Sequence, residues 1–129
     1  MKLSFIILYV KNIEQSVSFY ERAFGLTRRF IHESGMYAEM DTGGTTLAFS
    51  QNELIKSIEI EYQGASLHNR PFGNQISFEP EDVDVAFSMA IQEGALKIKP
   101  PQTMPWGWRC AFVRDPDGFL IEIARKIAE

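Results

Sequence analysis

The first candidate for a functional residue in this sequence is a single carboxylate near the end of the chain. Glu122 lies in an otherwise apolar stretch, where a half-buried carboxylate is costly unless it is paired. It is therefore a candidate acid, base or anchor for a cationic or hydroxyl-bearing group of a ligand. The alternative is that Arg109 is its internal partner. The sequence leaves both interpretations open.

Two tryptophans and the cysteine lie shortly before that carboxylate. Trp106 and Trp108 flank a glycine just ahead of a predicted strand. Because tryptophan offers a large apolar surface with an N–H donor, the pair could be the wall of a site for a planar ligand, or a hydrophobic plug. Cys110 follows among apolar residues, where a free cysteine usually acts as a small buried hydrophobe. We assign it no nucleophilic role.

Other patterns that carry chemistry are absent from the sequence. It has no Ser-His-Asp arrangement, no phosphate-cradling glycine loop and no zinc-type cysteine spacing. The histidines, His32 and His68, lie near predicted turns, which favours solvated surface positions. Tyr37 and Glu39 share strand parity and could line one face of a sheet, although ordinary sheet positions are the simpler interpretation.

Length and composition bound the class of protein. A chain of 129 residues that is 45% hydrophobic is expected to form one domain. The net charge of −4 is spread along the sequence, which argues against a nucleic-acid partner. The single cysteine cannot form an intrachain disulfide, and the first apolar run is too short for a signal peptide or a membrane span. We expect a cytoplasmic protein with no membrane partner.

The first part of the chain predicts a strand, a helix and a meander of three strands. A β-prone stretch runs from Leu3 to Val10, and Asn12 follows as a helix cap. Apolar residues then recur at helical spacing until Gly25, which predicts a helix over 13–24. Short β-prone runs separated by turns predict the remaining strands at 26–33, 36–41 and 45–51.

The second part predicts the same order of elements. A strand at 74–79 precedes the cap residue Asp82 and a helix that ends at Gly94. The later strands are predicted at 95–99, 108–113 and 119–125, with a loop over 100–107. Periodicity is lost over 52–72. We therefore divide one domain into a first module at 1–51, a connector at 52–72 and a second module at 73–129.

The repeat identifies equivalent positions in the two modules. Asn12 corresponds to Asp82, and the turn at 41–44 corresponds to the turn at 115–118. Side chains alternate along a strand, so the uniformly large apolar series, such as Ile6, Leu8 and Val10, is assigned to a helix-packed core. The opposite, concave face then holds two pairs of equivalent residues: Phe5 with Gln75, and Ala48 with Glu122.

Three segments resemble the vicinal oxygen chelate superfamily, which includes glyoxalase I, extradiol dioxygenases, fosfomycin-resistance enzymes and bleomycin-binding proteins. The segments are 9–26, 72–95 and 108–126, and the most specific feature is a DPDG turn followed by three apolar residues and a glutamate. The resemblance implies an α+β fold of two β-α-β-β-β modules. Their mixed sheets would curve around a cleft, with the helices on the outer face.

In metal-dependent members of that superfamily, the first and last strands of each module supply the ligands of a divalent ion, usually His or Glu. The corresponding residues here are Phe5, Ala48, Gln75 and Glu122. Phe5 and Ala48 have no donor atom, and Gln75 is a weak neutral donor for ions that prefer imidazole and carboxylate. The resemblance therefore implies a member that lacks the usual metal ligands and uses no cofactor.

The leading interpretation is a metal-independent homodimer that binds a small, partly aromatic organic ligand in its cleft, like the antibiotic-sequestering members. The predicted ligand-binding residues are Phe5, Ile7, Tyr9, Ala48, Gln75, Trp106, Trp108 and Glu122. Glu122 is the residue to consider if there is catalysis.

Two alternatives remain. One is a metal-dependent lyase, isomerase or dioxygenase of the glyoxalase type, which recruits a metal through Glu122, Gln75 and a further residue such as Glu39 or His68. The other is a structural or regulatory dimer with no small ligand. In relatives the modules pair within one chain or between chains, and the sequence leaves both arrangements open.

Overall fold

The order of helices and strands follows the predicted repeat. The computed structural model describes residues 1–127, so the last two residues of the predicted second module lie outside the described residues. The chain divides into two compact units, a first unit over Met1–Ala65 and a second unit from Ser66 onward. The elements are β1 (Phe5–Val10), α1 (Ile13–Phe24), β2 (Thr27–Ile31), β3 (Tyr37–Asp41), β4 (Thr46–Gln51), α2 (Asn52–Ser57), β5 (Ile76–Phe78), α3 (Val83–Gln92), β6 (Leu96–Thr103), β7 (Trp108–Arg114) and β8 (Leu120–Lys126).

The first unit is a four-stranded mixed sheet with α1 on one face. The strand order is β1-β4-β3-β2, with β1 parallel to β4 and the other pairs antiparallel. Residues that point from β1 and β4 toward α1 alternate with those that point away, and the inward set includes Val10 and Phe49. Val17 and Tyr20 of α1 complete this core.

The second unit repeats this topology. Its sheet has the order β5-β8-β7-β6, again with a parallel pair, β5 and β8, at one edge. The core facing α3 includes Val113, Ile121 and Ile123, all fully buried. The predicted α+β fold of two β-α-β-β-β modules is therefore confirmed. No helix within residues 1–127 is long and apolar enough to cross a membrane.

The repeat extends to the helix caps. The Asn12 side chain accepts a hydrogen bond from the Gln15 backbone N–H at 2.9 Å, and the Asp82 side chain accepts one from Val85 at 3.0 Å. Each cap satisfies one of the N–H groups that the first turn of a helix leaves without a partner. The two equivalent residues therefore start equivalent helices.

Three local predictions differ from the structure. Ile6, expected in the core, is 40% exposed; it lies near the start of the edge strand β1, whereas Leu8 and Val10 further along the same face are buried. The loop predicted over 100–107 is wrong at its start, since β6 continues to Thr103. An edge strand tolerates the two prolines there because one of its sides needs no donors. The connector predicted over 52–72 begins with α2, and the boundary between the units falls inside it.

Two buried charged residues that are adjacent in the sequence, Arg114 and Asp115, stabilise the hairpin between β7 and β8. The Asp115 side chain accepts hydrogen bonds from three backbone N–H groups of the turn at 2.9–3.0 Å. Arg114 donates to the carbonyl oxygens of Gly118, Asn69 and Ser66 at 2.9–3.0 Å. The DPDG turn therefore has a structural role: together with Arg114 it attaches the segment at 66–69, at the start of the second unit, to the last hairpin.

Candidate functional site

The open face of the first sheet, opposite α1, is here called face one. In the parallel pair of β1 and β4, Ile7 is the register partner of Ala48, and Phe5 and Tyr9 lie on either side of it. Register partners in adjacent strands point to the same side of a sheet. The residues predicted for the site in this module therefore share one face.

Exposure separates these residues. Phe5 is 45% exposed and Ile7 is 43% exposed, so both offer apolar surface to a ligand. Ala48 is completely buried and offers no accessible surface. The ring of Tyr9 meets that of Tyr62 edge to face at 4.9 Å. Tyr62 was not predicted, because it belongs to the connector, where the sequence shows no periodicity. Its hydroxyl donates to the Asn52 side chain at 2.6 Å, which holds the ring in place.

A charged array occupies the other strands of face one. Glu39 accepts hydrogen bonds from Arg29 at 3.0 Å and from the Tyr37 hydroxyl at 2.9 Å. Burial, and then this hydrogen bond to a carboxylate, raises the pKa of Tyr37 to about 12. Arg29 was not predicted, because a β-bulge between Arg28 and Phe30 brings it to face one.

The open face of the second sheet, opposite α3, is here called face two. Its centre is Glu122, which lies between its register partners Ser77 on β5 and Phe112 on β7. The Ser77 hydroxyl donates to Glu122 Oε1 at 2.7 Å, and Gln75 Nε2 donates to that hydroxyl at 3.2 Å. Gln75 therefore reaches the carboxylate through Ser77, a residue that the sequence analysis did not select.

The Cys110 thiol is a further neighbour of Glu122. Burial, followed by the negative charge of Glu122 and a hydrogen bond to it, raises the pKa of the thiol above its ordinary value. A raised pKa keeps the sulfur protonated at neutral pH, and the thiolate is the reactive form. The structure thus agrees with the interpretation of Cys110 as an unreactive buried residue.

Arg109 is not the partner of Glu122, so that alternative is wrong. Its guanidinium donates to both carboxylate oxygens of Asp84 on α3, at 2.6 and 2.9 Å. This pairing holds the pKa of Asp84 below its ordinary value. Arg109 follows Trp108 and precedes Cys110 on β7, and consecutive strand residues point to opposite faces.

The tryptophans lie at different places in the second unit. Trp106 is in the turn before β7 and is 66% exposed. Trp108 begins β7, is half-buried, and is the register partner of Lys126. Trp108 has the same strand parity as Phe112, so it belongs to face two. The structure therefore places one tryptophan on the predicted face and the other on its flanking turn.

The four positions that hold a metal in relatives do not fit a divalent ion. Phe5 and Ala48 carry no donor, and within residues 1–127 no group of three or more His, Cys, Asp or Glu side chains could hold one. Of the proposed extra ligands, Glu39 already accepts from Arg29 and Tyr37, and His68 is exposed on the segment before β5. His32 bonds to its neighbour Ser34.

An open depression of about 560 Å³ lies in the first unit, outside the predicted site. Its lining residues are Lys56, Glu59, Ile60, Glu61 and Tyr62. The sequence gives no signal for it beyond the loss of periodicity after α2. Tyr62 lines this depression, and its ring also contacts the ring of Tyr9 on face one.

Comparisons with known proteins agree with the topology. The family model described as "Glyoxalase/Bleomycin resistance protein/Dioxygenase superfamily" matches residues 2–123. An uncharacterized protein from Bacillus subtilis strain 168, YraH, is 32% identical over 136 aligned positions, which cover 98% of this chain and 100% of that one.

Solved structures show the same fold. A glyoxalase-related enzyme from Fulvimarina pelagi has a TM-score of 0.82 at 22% identity, covering 96% of this chain and 87% of that one. A glyoxalase/bleomycin resistance protein/dioxygenase family enzyme from Burkholderia phytofirmans has a TM-score of 0.80 at 23% identity, covering 98% and 100%. A protein of unknown function from Agrobacterium tumefaciens has a TM-score of 0.77 at 27% identity, covering 96% and 93%.

Proposed function

Because this chain belongs to the glyoxalase/bleomycin resistance protein/dioxygenase superfamily, we propose that it binds a small, partly aromatic organic ligand without a metal ion. Sequestration of a drug is the biological role that corresponds to this activity. The proposal concerns the open faces of the two sheets and the residues that they present.

One observation carries the proposal: the side chains at the metal positions of the family suit an organic ligand better than an ion. Phe5 offers an exposed ring where relatives have a metal ligand, and Ala48 offers no donor. Gln75 is occupied by a hydrogen bond to Ser77, and only Glu122 is an ordinary ligand for a divalent ion. A single carboxylate with one neutral amide does not supply the coordination that such ions require.

The apolar surface indicates the character of the ligand. Phe5 and Ile7 lie together on β1, and both are more than a third exposed. Binding sites for small organic molecules combine such apolar contacts with a few polar groups that fix orientation. Tyr9 would supply a further aromatic contact on face one, and on face two Trp108 and Glu122 would supply aromatic and polar contacts.

A thermal-shift screen with aromatic organic compounds, run with and without a chelator, tests the proposal. We expect at least one compound to raise Tm, because a ligand that binds only the folded state stabilises it. The chelator should leave that shift unchanged. Phe5→Ala should reduce it, whereas Val85→Ala, on the exposed side of α3, should not. Stoichiometric binding of a divalent ion with micromolar or tighter affinity would contradict the proposal.

The second candidate function is a metal-dependent lyase, isomerase or dioxygenase of the glyoxalase type. The observation that favours it is Glu122, which retains an ordinary metal ligand at a metal position of the family. Turnover of the methylglyoxal–glutathione hemithioacetal, together with metal analysis of the purified protein, distinguishes the two functions. Metal-dependent turnover that Glu122→Ala abolishes would establish the enzyme.

We also propose that the protein acts as a homodimer. The support is the edge position of β1, whose outer residues Phe5, Ile6 and Ile7 are exposed on both sides of the strand. Natural proteins usually cover or charge such an apolar edge. Sedimentation equilibrium should give a mass twice the 14.7 kDa of one chain, and a concentration-independent single-chain mass would refute the dimer.

A further inference from the structure

The open faces carry two carboxylates in different electrostatic surroundings. On face one, the charge of Glu39 is balanced by Arg29 at 3.0 Å, and its other oxygen accepts from Tyr37. On face two, Glu122 accepts from the neutral Ser77 hydroxyl and lies beside the Cys110 thiol. No ion pair within residues 1–127 involves Glu122.

The arginines of the second sheet form hydrogen bonds or ion pairs with groups other than Glu122. Arg109 pairs with Asp84, and Arg125 pairs with Glu79 at 3.8 Å and donates to the carbonyl of residue 80. Arg114 is buried and donates to three backbone carbonyl oxygens. None of them is available to neutralise a carboxylate on face two.

The lysines nearest in register to Glu122 are also distant from it. Lys126 is four residues further along β8, which corresponds to about 13 Å of strand. Lys99 is paired with Phe112 on β7, so it lies two strands away, about 10 Å. These are separations between backbone positions, and neither lysine forms an ion pair with Glu122. Among the described residues of the second sheet, no arginine or lysine is therefore an ion-pair partner of Glu122.

A ligand that covers face two would take this carboxylate out of water. A neutral ligand would leave a desolvated charge uncompensated, which is unfavourable, whereas a cation would replace the lost hydration with a charge-assisted hydrogen bond. Phe112, the register partner of Glu122, adds an aromatic ring where a bound cation can be attracted to the ring face.

From these contacts we infer that face two binds an organic cation, a protonated amine carried by an apolar or aromatic group, with Glu122 as its counter-ion. The inference rests on the proposed function, since it names the chemical class of the ligand. The Ser77 hydroxyl donates to this carboxylate and accepts from Gln75, and these two hydrogen bonds restrict the orientation of Glu122.

Three probes of similar shape and different charge test the inference: 2-phenylethylammonium, 2-phenylethanol and 3-phenylpropionate. Each is titrated into the full-length protein at neutral pH and low salt, and binding is followed by amide chemical shifts in NMR spectra. We expect the ammonium compound to bind about tenfold or more tightly than the other two. The largest shifts should occur at Ser77, Phe112 and Glu122.

Glu122→Gln keeps the size of the side chain and removes its charge, so it should weaken binding of the ammonium probe about tenfold. The matched control is Glu79→Gln, a carboxylate of the same unit that already has a cationic partner. That variant should bind the probe as tightly as the unsubstituted protein. The preference of the unsubstituted protein among the three probes is a second test that depends on no variant.

Equal binding of the three probes, no binding of the ammonium probe, or unchanged binding by Glu122→Gln would each overturn the inference. The thermal-shift screen then tests separately whether the proposed ligand binding occurs. If neutral aromatic compounds raise Tm, ligand binding stands and only the cationic class is wrong. If no compound does so, both proposals fail.

Discussion

Single side chains on the open faces have surroundings that change their response to pH. Tyr37 is the clearest case, because its hydroxyl is partly buried and donates to a carboxylate that Arg29 also contacts. These surroundings favour the neutral phenol. The resulting pKa of about 12, against an ordinary value of 10.0, is a property that can be measured directly.

Replacing the acceptor should lower that pKa. In Glu39→Gln, the pKa of Tyr37 should fall below about 12 but stay above 10.0, because burial, the largest cause of the shift, remains. The measurement is a pH titration of the Tyr37 ring carbon by NMR. Glu33→Gln, at an exposed position on the same hairpin, is the control and should leave the pKa unchanged. A pKa that rises in Glu39→Gln would contradict the hydrogen bond.

The same shift predicts a pH dependence of stability. A folded-state pKa above the unfolded value stabilises the protein fully below 10.0, and this contribution disappears as the pH rises through about 12. The free energy of unfolding, measured by urea denaturation, should therefore fall across that window. Tyr37→Phe should show a smaller fall. Identical pH profiles for the two proteins would exclude Tyr37 as the cause.

Gly118 is a position where no side chain fits. Its φ is +105°, and an added Cβ would lie 2.8 Å from the backbone carbonyl carbon of Ser66. Gly118→Ala should lower the free energy of unfolding by about 2 kcal/mol or more, measured by urea denaturation. Gly43→Ala is the control, since φ is +88° with open space around it, and it should cost about 1 kcal/mol. Equal losses would show that the contact with Ser66 has no effect.

Sequence reasoning found part of the candidate site. Glu122 was identified because a carboxylate interrupts an apolar strand, and strand parity placed Phe5 and Ile7 on its counterpart face in the first unit. It missed Ser77, because a serine on a strand carries no distinguishing pattern. It missed Arg29 because a bulge changes strand parity locally, and the residue types around it do not mark the bulge.

Helices begin where the sequence predicts, because their caps are local interactions. Asn12 and Asp82 each accept a hydrogen bond from the backbone N–H three residues later. Such signals need no tertiary contact, which explains why the predicted bounds of α1, 13–24, agree with Ile13–Phe24. The end of β6 was mispredicted because prolines normally exclude a strand, and only its place at the sheet edge tolerates them.

Removal of either cap should have the same effect. Asn12→Ala and Asp82→Ala should each lower the free energy of unfolding by about 1 kcal/mol, since each leaves an N–H of the first helical turn without its partner. Chemical denaturation measures both. Asp82→Asn retains an acceptor and should lose little. The losses should add in the double variant, because the two caps share no partner. A loss of stability in only one of the two single variants would show that the two caps do not contribute equally to stability.

For the whole molecule, the repeated topology was readable from the order of the predicted elements, whereas the contacts of the connector were not. The segment after α2 has no periodic pattern, so nothing in the sequence shows that Ser66 and Asn69 supply carbonyl oxygens to Arg114. The contact brings together residues that are far apart in the chain. Local signals such as caps and turns do not report it.

Arg114 should accordingly matter more than a surface arginine. Arg114→Met removes the donors of three backbone carbonyl oxygens and should lower the free energy of unfolding by about 2–4 kcal/mol. Arg28→Met, which breaks partly exposed ion pairs with Glu14 and Glu21, should cost less than about 1 kcal/mol. A smaller loss for Arg114→Met than for Arg28→Met would show that the hydrogen bonds from Arg114 to Gly118, Asn69 and Ser66 contribute little to stability.

The two equivalent hairpin turns differ in how much foreign sequence they can accept. The turn at 115–118 is enclosed by Asp115, Arg114 and the backbone of Ser66, so an inserted peptide would break several buried hydrogen bonds. The turn at 41–44 has open space around Gly43 and Gly44. An affinity tag, a fluorescent label or new chain termini made by circular permutation therefore belong in the first turn, where they leave the second unit intact.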